Sequence, residues 1–223
     1  MRPLPFLLPN MTKRRVIAYV DGFNFYYRRL RNKPYRWLDL CKFFEQFFPD
    51  DEVVMVRYFT ARVGGKFDQS KPLRQQAYLK ALQTLSKLDI IEGKFLTTQV
   101  QYRLAEPLQD AAGNTKQSAK VWKQDEKGSD VNLGSHLIND AWEDNYDVAV
   151  VVTNDSDLAV PIQLAVKRGK TVILLHPDGN PSRSLEASAT SVLHIHDTHL
   201  RNAQFPDVIQ LDNGKVIKKP DSF

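Results

Sequence analysis

Asp147-Val-Ala-Val-Val-Val-Thr153 runs directly into Asn154-Asp155-Ser156-Asp157. The apolar run leaves no face for water, so residues 148–153 read as a strand buried on both sides. Strands of that kind belong to parallel sheets covered by helices. The acidic cluster falls where this strand ends and a helix over 157–168 begins. One carboxylate at such a junction caps the helix almost regardless of function. A cap needs only one, so the second asks for another explanation. Pro161 falls near the first turn, where a missing N–H costs least.

The same pattern recurs upstream. Val16-Ile-Ala-Tyr-Val20 is a second buried strand, and it delivers Asp21. Further strands are expected at 53–59, at 90–95, at 171–175 and at 192–195, with another at 99–104. Helices are expected at 23–31, 38–48, 70–87 and 130–144. In the 70–87 helix Leu73, Ala77, Leu82 and Leu85 are the candidates for the buried face. Short β-rich runs alternating with amphipathic helices predict an α/β fold with a mostly parallel central sheet. Residues 105–119 show no periodicity and read as a mobile excursion. Residues 1–14 read as a disordered tail, 15–200 as one domain and 201–223 as an irregular tail.

Composition narrows the class. The 223 residues carry a formal net charge of +5 and a pI near 9.2. A mildly basic balance suits a polyanionic partner without establishing one. Cys41 is the single cysteine, so no intrachain disulfide forms, and a reducing, cytoplasmic setting is expected. No apolar run reaches transmembrane length.

Strand ends in open α/β sheets converge on one crevice, where such folds bind ligands. Asp21, Asp155 and Asp157 are expected there. Asp130 joins them from the start of a helix after Lys127-Gly128-Ser129, with Ser129 or Asp130 as its N-cap. Clustered carboxylates resist ionisation, and a divalent cation with a preference for hard oxygen relieves the conflict. The arrangement reads as metal-dependent phosphate chemistry. Asn24, three residues after Asp21, can position a water or a ligand without adding charge. Gly22 allows a close approach of backbone or substrate, and Asn154 is a residue that tolerates left-handed backbone. Gly134 leaves room on the Asp130 face of its helix or permits close helix–sheet packing. Arg28, Arg29, Arg31, Lys33 and Arg36 read as a solvated helix end, Tyr26 and Tyr27 as packing or stacking residues, and His194, His196 and His199 as no metal site.

Three segments in this order resemble the NYN domain family of PIN-like nucleases, over about Val16 to Ile195. An Asp-x-x-Asn motif falls on Asp21 and Asn24. A Lys-Gly-x-Asp-Val element falls on Lys127-Gly128-Ser129-Asp130-Val131. A Ser-Gly-Asp-Ser-Asp-Phe element falls on Thr153-Asn154-Asp155-Ser156-Asp157-Leu158. The resemblance implies a PIN-like three-layer fold and a ribonuclease that hydrolyses phosphodiesters. It implies magnesium or manganese held by Asp21, Asp130 and Asp155, with Asp157 close by as a catalytic residue. Asn24 would orient a ligand or water and Lys127 would meet a phosphate. RNA is the implied partner; a homodimer is allowed for and a membrane is not expected. The chain departs from the pattern at Asn154 and Leu158. It also has His136 where many members place a further Asp, and the next acid, Asp140, is on a different helical face. A non-catalytic RNA-binding module is therefore the alternative. A phosphatase using Asp21 as nucleophile is disfavoured, because such folds want a second Asp where this chain has Phe23.

Overall fold

The computed structural model describes residues 12–109, 113–180, 182–221 and 223. The expected tail therefore lies, for residues 1–11, outside the described residues. Strand β1 (Arg15–Asp21) leads into a short helix α1 (Gly22–Phe25), which widens into a π-helical turn over Tyr26–Leu30. Helix α2 (Leu40–Glu45), strand β2 (Glu52–Thr60), helix α3 (Ser70–Leu82) and strand β3 (Leu88–Glu92) follow. Two long strands, β4 (Lys94–Gln109) and β5 (Thr115–Lys127), precede helix α4 (Ser129–Trp142) and strand β6 (Val148–Val152). A 3₁₀ turn at Ser156–Leu158 opens helix α5 (Ala159–Lys167), then strand β7 (Thr171–His176), helix α6 (Arg183–Ser188), strand β8 (Ser191–His194) and helix α7 (Asp197–Asn202).

The central sheet has six strands in the order β3-β2-β1-β6-β7-β8, all parallel. Side chains alternate across it with period two. Val16, Ala18 and Val20 of β1 face a core shared with Phe25, Phe43, Phe44 and Leu82. Ile17 and Tyr19 face the opposite core with Leu133, Leu137 and Ile162. Strands β6 and β7 divide in the same way, which makes the fold three-layered: helix, sheet, helix. Chain order reverses at β1, whose neighbours are β2 on one side and β6 on the other. The ends of β1 and β6 therefore flank the topological switch point, where ligands of such sheets bind.

Several elements differ from the sequence expectation. Helix α3 ends at Leu82, not 87, and buries Tyr78, Leu79, Ala81 and Leu82, while Leu73 is exposed. Residues 105–109 and 115–119 are strand: β4 and β5 form an antiparallel ribbon, with its register slipping between Arg103 and Leu108. Most of this ribbon is exposed on both faces, so outside the strands expected at 90–95 and 99–104 neither hydrophobic period marks it in the sequence. The segment after Arg201 is also ordered. Phe205 enters the core, its N–H donates to the Trp37 carbonyl at 2.9 Å, and strands β9 (Val208–Gln210) and β10 (Val216–Lys218) pair antiparallel. Gly134 serves helix–helix packing, because a Cβ there would sit 2.9 Å from the Pro161 ring on α5. Among the described residues, no helix is long and apolar enough to cross a membrane.

Candidate active site

Asp21 is the last residue of β1 and is only 5% exposed. Its carboxylate does two structural jobs. Oδ1 accepts the Asn24 N–H at 3.0 Å, capping α1, and Oδ2 accepts the Thr153 hydroxyl at 3.1 Å. Thr153, fully buried just past β6, also accepts the Asp155 N–H on its Oγ1 at 3.1 Å. The ends of β1 and β6 are thereby tied through one hydroxyl. Gly22 allows the turn away from β1: a Cβ there would lie 2.7 Å from the Phe59 carbonyl and from the Tyr58 ring.

The neighbours of Asp21 are acidic. Burial pushes its carboxyl up to about 7, and Asp130 and Asp155 add to the rise against the Asn24 and Thr153 hydrogen bonds. Asp130, in the first turn of α4 and half-buried, is raised by burial and then by Asp155, Glu126 and Asp157. Asp155 caps the 3₁₀ turn, its Oδ1 accepting the Asp157 N–H at 3.0 Å, while Asp157 itself is exposed. The fold thus gathers Asp21, Asp130 and Asp155 from three elements, with Asp157 at the rim. Among the described residues, no three His, Cys, Asp or Glu side chains form a ready metal cage.

Two expected local roles, at the start of α4 and at Asn154, change, and Asn24 gains a structural contact. The N-cap of α4 is Gly128, at φ 97°, with no side-chain cap of its own. Glu126 fills the cap role expected of Ser129 or Asp130, accepting the Ser129 N–H at 3.0 Å and its hydroxyl at 2.6 Å. Asn24 does not point its oxygen at open space; Oδ1 accepts the Asn154 N–H at 3.0 Å. Asn154 is not left-handed, since the only non-glycine residues with positive φ among those described are Asn32 and Asp144. It is a hub instead. Its amide donates to Asp178 at 3.1 Å and to the Asn180 carbonyl at 3.0 Å, and its Oδ1 accepts the Ser182 N–H at 2.8 Å.

Glu126 and Asp178 escaped the sequence reading. An acid three residues before the first helical residue was the available signal for Glu126. Asp178 pairs with Arg28 at 2.6 Å, and nothing local in the sequence announces it. Lys127 is exposed at the end of β5, cross-strand from Lys94 at the ribbon's base. Arg29 is held by Asp197 at 2.5 Å, and Arg31 lies over the Tyr27 ring. His136 packs on Phe59, and His194 meets the buried His176 with ring nitrogens 3.1 Å apart. Asp140 stands apart from the crevice, bound to Tyr19 and Arg57.

Comparison with known proteins bears on the fold and the family. A solved structure of a protein of unknown function from Vibrio parahaemolyticus superposes with a TM-score of 0.52 at 17% identity, covering 89% of this chain and all of that one; the likeness is one of fold. A curated relative is 29% identical over 236 aligned positions, which span 94% of this chain and 75% of the relative. It is 6-hydroxy-3-succinoylpyridine 3-monooxygenase HspA of Pseudomonas putida. The NYN domain model matches residues 15–196, from the first residue of β1 to just past β8. This chain belongs to the NYN domain family, within the PIN-like superfamily.

Proposed function

We propose that the crevice between β1 and β6 hydrolyses RNA phosphodiesters with the help of magnesium or manganese. The observation that carries this reading is Asp21, buried against Asp130 and Asp155 with only neutral hydrogen-bond donors on its oxygens. The donor set fits a hard divalent cation, because a bound cation removes the repulsion that raises Asp21 and Asp130. Magnesium commonly keeps several waters and takes one or two carboxylates together with substrate phosphate, so the three carboxylates need not close on it before substrate arrives. Asp21, Asp130 and Asp155 would hold the ion. Bound there, it supplies Lewis acidity at a phosphate oxygen and a lowered pKa for the attacking water. Thr153 and Asn24 tie the end of β1 to the segment that follows β6. Asp157 stands at the rim as a further acceptor, and Lys127 neutralises phosphate charge.

The test uses labelled single-stranded RNA, with either metal or with chelator. Metal-dependent cleavage is expected, falling at least a hundredfold in Asp21→Asn and Asp155→Asn while RNA remains bound. RNA bound by the parent but uncut in both metals would make the protein a binding module, the reading favoured by His136 standing where a further Asp is expected. Neither binding nor cleavage would end the RNA reading. A second enzymatic reading follows from the Pseudomonas relative, named for oxygenating a substituted pyridine. An aromatic cavity on the far side of Gly22 favours a small aromatic substrate. Incubating the protein with 6-hydroxy-3-succinoylpyridine, oxygen and a reductant tests it; an unchanged ultraviolet spectrum excludes it.

A further inference from the structure

A cavity of about 340 Å³ lies between α1, its π-helical extension and α3. Its volume falls in the range of small-molecule sites. Phe23, Tyr26, Tyr27, Tyr58, Tyr78 and Phe223 supply its aromatic walls, and Arg31, Arg36, Lys71 and Arg74 its charge. Among the described residues, no Asp or Glu lines it. Aromatic walls in a mobile surface groove could collapse on one another, but here they are braced. Phe23 stacks on Tyr27 at 6.3 Å with 13° between the planes, and on Phe95 of the ribbon at 6.1 Å. Phe223 is wedged edge-on against Trp37 at 5.6 Å, and the Tyr78 hydroxyl donates to the Leu38 carbonyl at 2.9 Å. Tyr27 remains 53% exposed despite its ring contacts, so it offers a ring edge and face to solvent.

The cations are arranged around these rings. Arg31 stands 5.5 Å from the Tyr27 centroid and Arg36 5.4 Å from that of Phe223. Arg74 is steadied by Ser70 Oγ at 2.6 Å and by Asp68 at 3.6 Å. Rings that bind by stacking beside guanidinium groups that bind by charge select a ligand having both features. The cavity also adjoins the acidic crevice: Tyr58 lines it and lies directly beneath Gly22, one residue from Asp21.

The geometry points to a binding site for a planar aromatic ring that carries an anionic group. A nucleotide and a small aromatic carboxylic acid share this chemistry. The site stands independently of phosphodiester hydrolysis, and it supplies the small-molecule reading with a location. Its test is run in chelator, so that no cleavage is needed. Uridine 5′-monophosphate and 6-hydroxypyridine-3-carboxylate are titrated separately against the full chain by calorimetry, with uridine and 6-hydroxypyridine-3-carboxamide as uncharged counterparts. At least one charged probe is expected to saturate a single site, its counterpart binding at least tenfold more weakly. Preference for the nucleotide identifies one source and preference for the carboxylate the other. Lys71→Gln and Arg74→Gln should each weaken the charged probe about tenfold and leave the melting temperature in place. Val63→Trp, which fills the cavity from its lining, should abolish binding. Failure of both charged probes to bind overturns the proposal. So does equal binding of charged and uncharged probes, or binding unaffected by the two charge variants. If Val63→Trp unfolds, the charge variants decide alone. Intact pocket binding in a parent that cuts no RNA would sink the hydrolytic reading without touching this one.

Discussion

Two aspartates are buried against the same sheet, and their surroundings are opposite. Asp140, 2% exposed near the end of α4, is compensated on every side. Arg57 of β2 grips it twice, at 2.8 and 3.0 Å, the Tyr19 hydroxyl donates to it at 2.7 Å, and Asn145 donates at 3.2 Å. Asp21 is nearly as buried but receives only two neutral donors and faces other carboxylates. A buried charge given a full set of partners serves the fold. One placed among like charges costs the fold stability, and such arrangements concentrate at functional sites. On the proposed function the acid compensated by Arg57 is structural and the one among like charges is functional, so the two should respond oppositely to the same substitution.

The largest effect belongs to Asp140. Asp140→Asn leaves the Arg57 guanidinium, mostly shielded from water, with only the more exposed Asp89, at 3.3 Å, as counter-ion. Breaking such a pair costs about 3–5 kcal/mol. Urea unfolding should show that loss with metal present or absent. A change of under 1 kcal/mol would remove the contrast on which the functional reading of Asp21 leans.

At Asp21 the neutralising substitution should help rather than harm. The folded-state carboxyl is raised to about 7, so between pH 4 and 7 the native protein holds a proton that the unfolded chain has lost. Its contribution is complete below the unfolded value, near 4, and disappears as pH rises through about 7. A rise of about three units corresponds to a ceiling of about 4 kcal/mol. In chelator, the parent should lose stability to this group across that window, and Asp21→Asn should show a flatter profile. At pH 8 the variant should melt no lower than the parent. Parallel profiles for the two would mean that Asp21 is compensated after all.

Metal sharpens the comparison from the other side. Magnesium or manganese at about a hundred times its dissociation constant should stabilise the parent by roughly 2.7 kcal/mol. Asp140→Asn should keep that increment on its lower baseline. Asp155→Asn should lose it, although Asn preserves the cap on the 3₁₀ turn. Equal metal shifts in the parent and Asp155→Asn would take Asp155 out of the proposed site.

The difference between the two aspartates was only half legible in the sequence. Asp21 and Asp155 could be read because each ends a strand buried on both faces, and an unbroken apolar run such as Val148–Val152 announces itself. Asp130 was read from its place at the start of a helix, and the resemblance then supplied the metal role of all three. Asp140 was noticed only as an acid on the wrong helical face. Its partners Tyr19 and Arg57 come from two other elements, and no local pattern reports them. The β4–β5 ribbon was legible only in part, at 99–104, for a different reason. Both its faces meet water along most of its length, so residues 105–109 and 115–119 carry no alternation and resemble loop. Leu73 misled because helical spacing identifies a face without saying whether anything covers it. The aromatic cavity, like the pairing of Asp178 with Arg28, exists only once distant segments are brought together.

The smallest expected effect concerns Lys127, which sits outside the buried contrast. It is exposed at the ribbon's base, two residues before the start of α4. An exposed charge contributes little to folding, so Lys127→Ala should leave the melting temperature unchanged. If it meets RNA phosphate, its removal should weaken binding by about 1 kcal/mol, close to fivefold. It should also lower the slope of log affinity against log salt by about 0.7, the value for one phosphate contact on a single strand. The slope is the decisive readout. A general loss of structure changes affinity without removing one counter-ion's worth of salt dependence, whereas loss of a phosphate contact changes both. Unchanged affinity and slope would place the RNA path away from the ribbon's base. The acidic crevice would then have to receive its substrate from the side of the aromatic cavity.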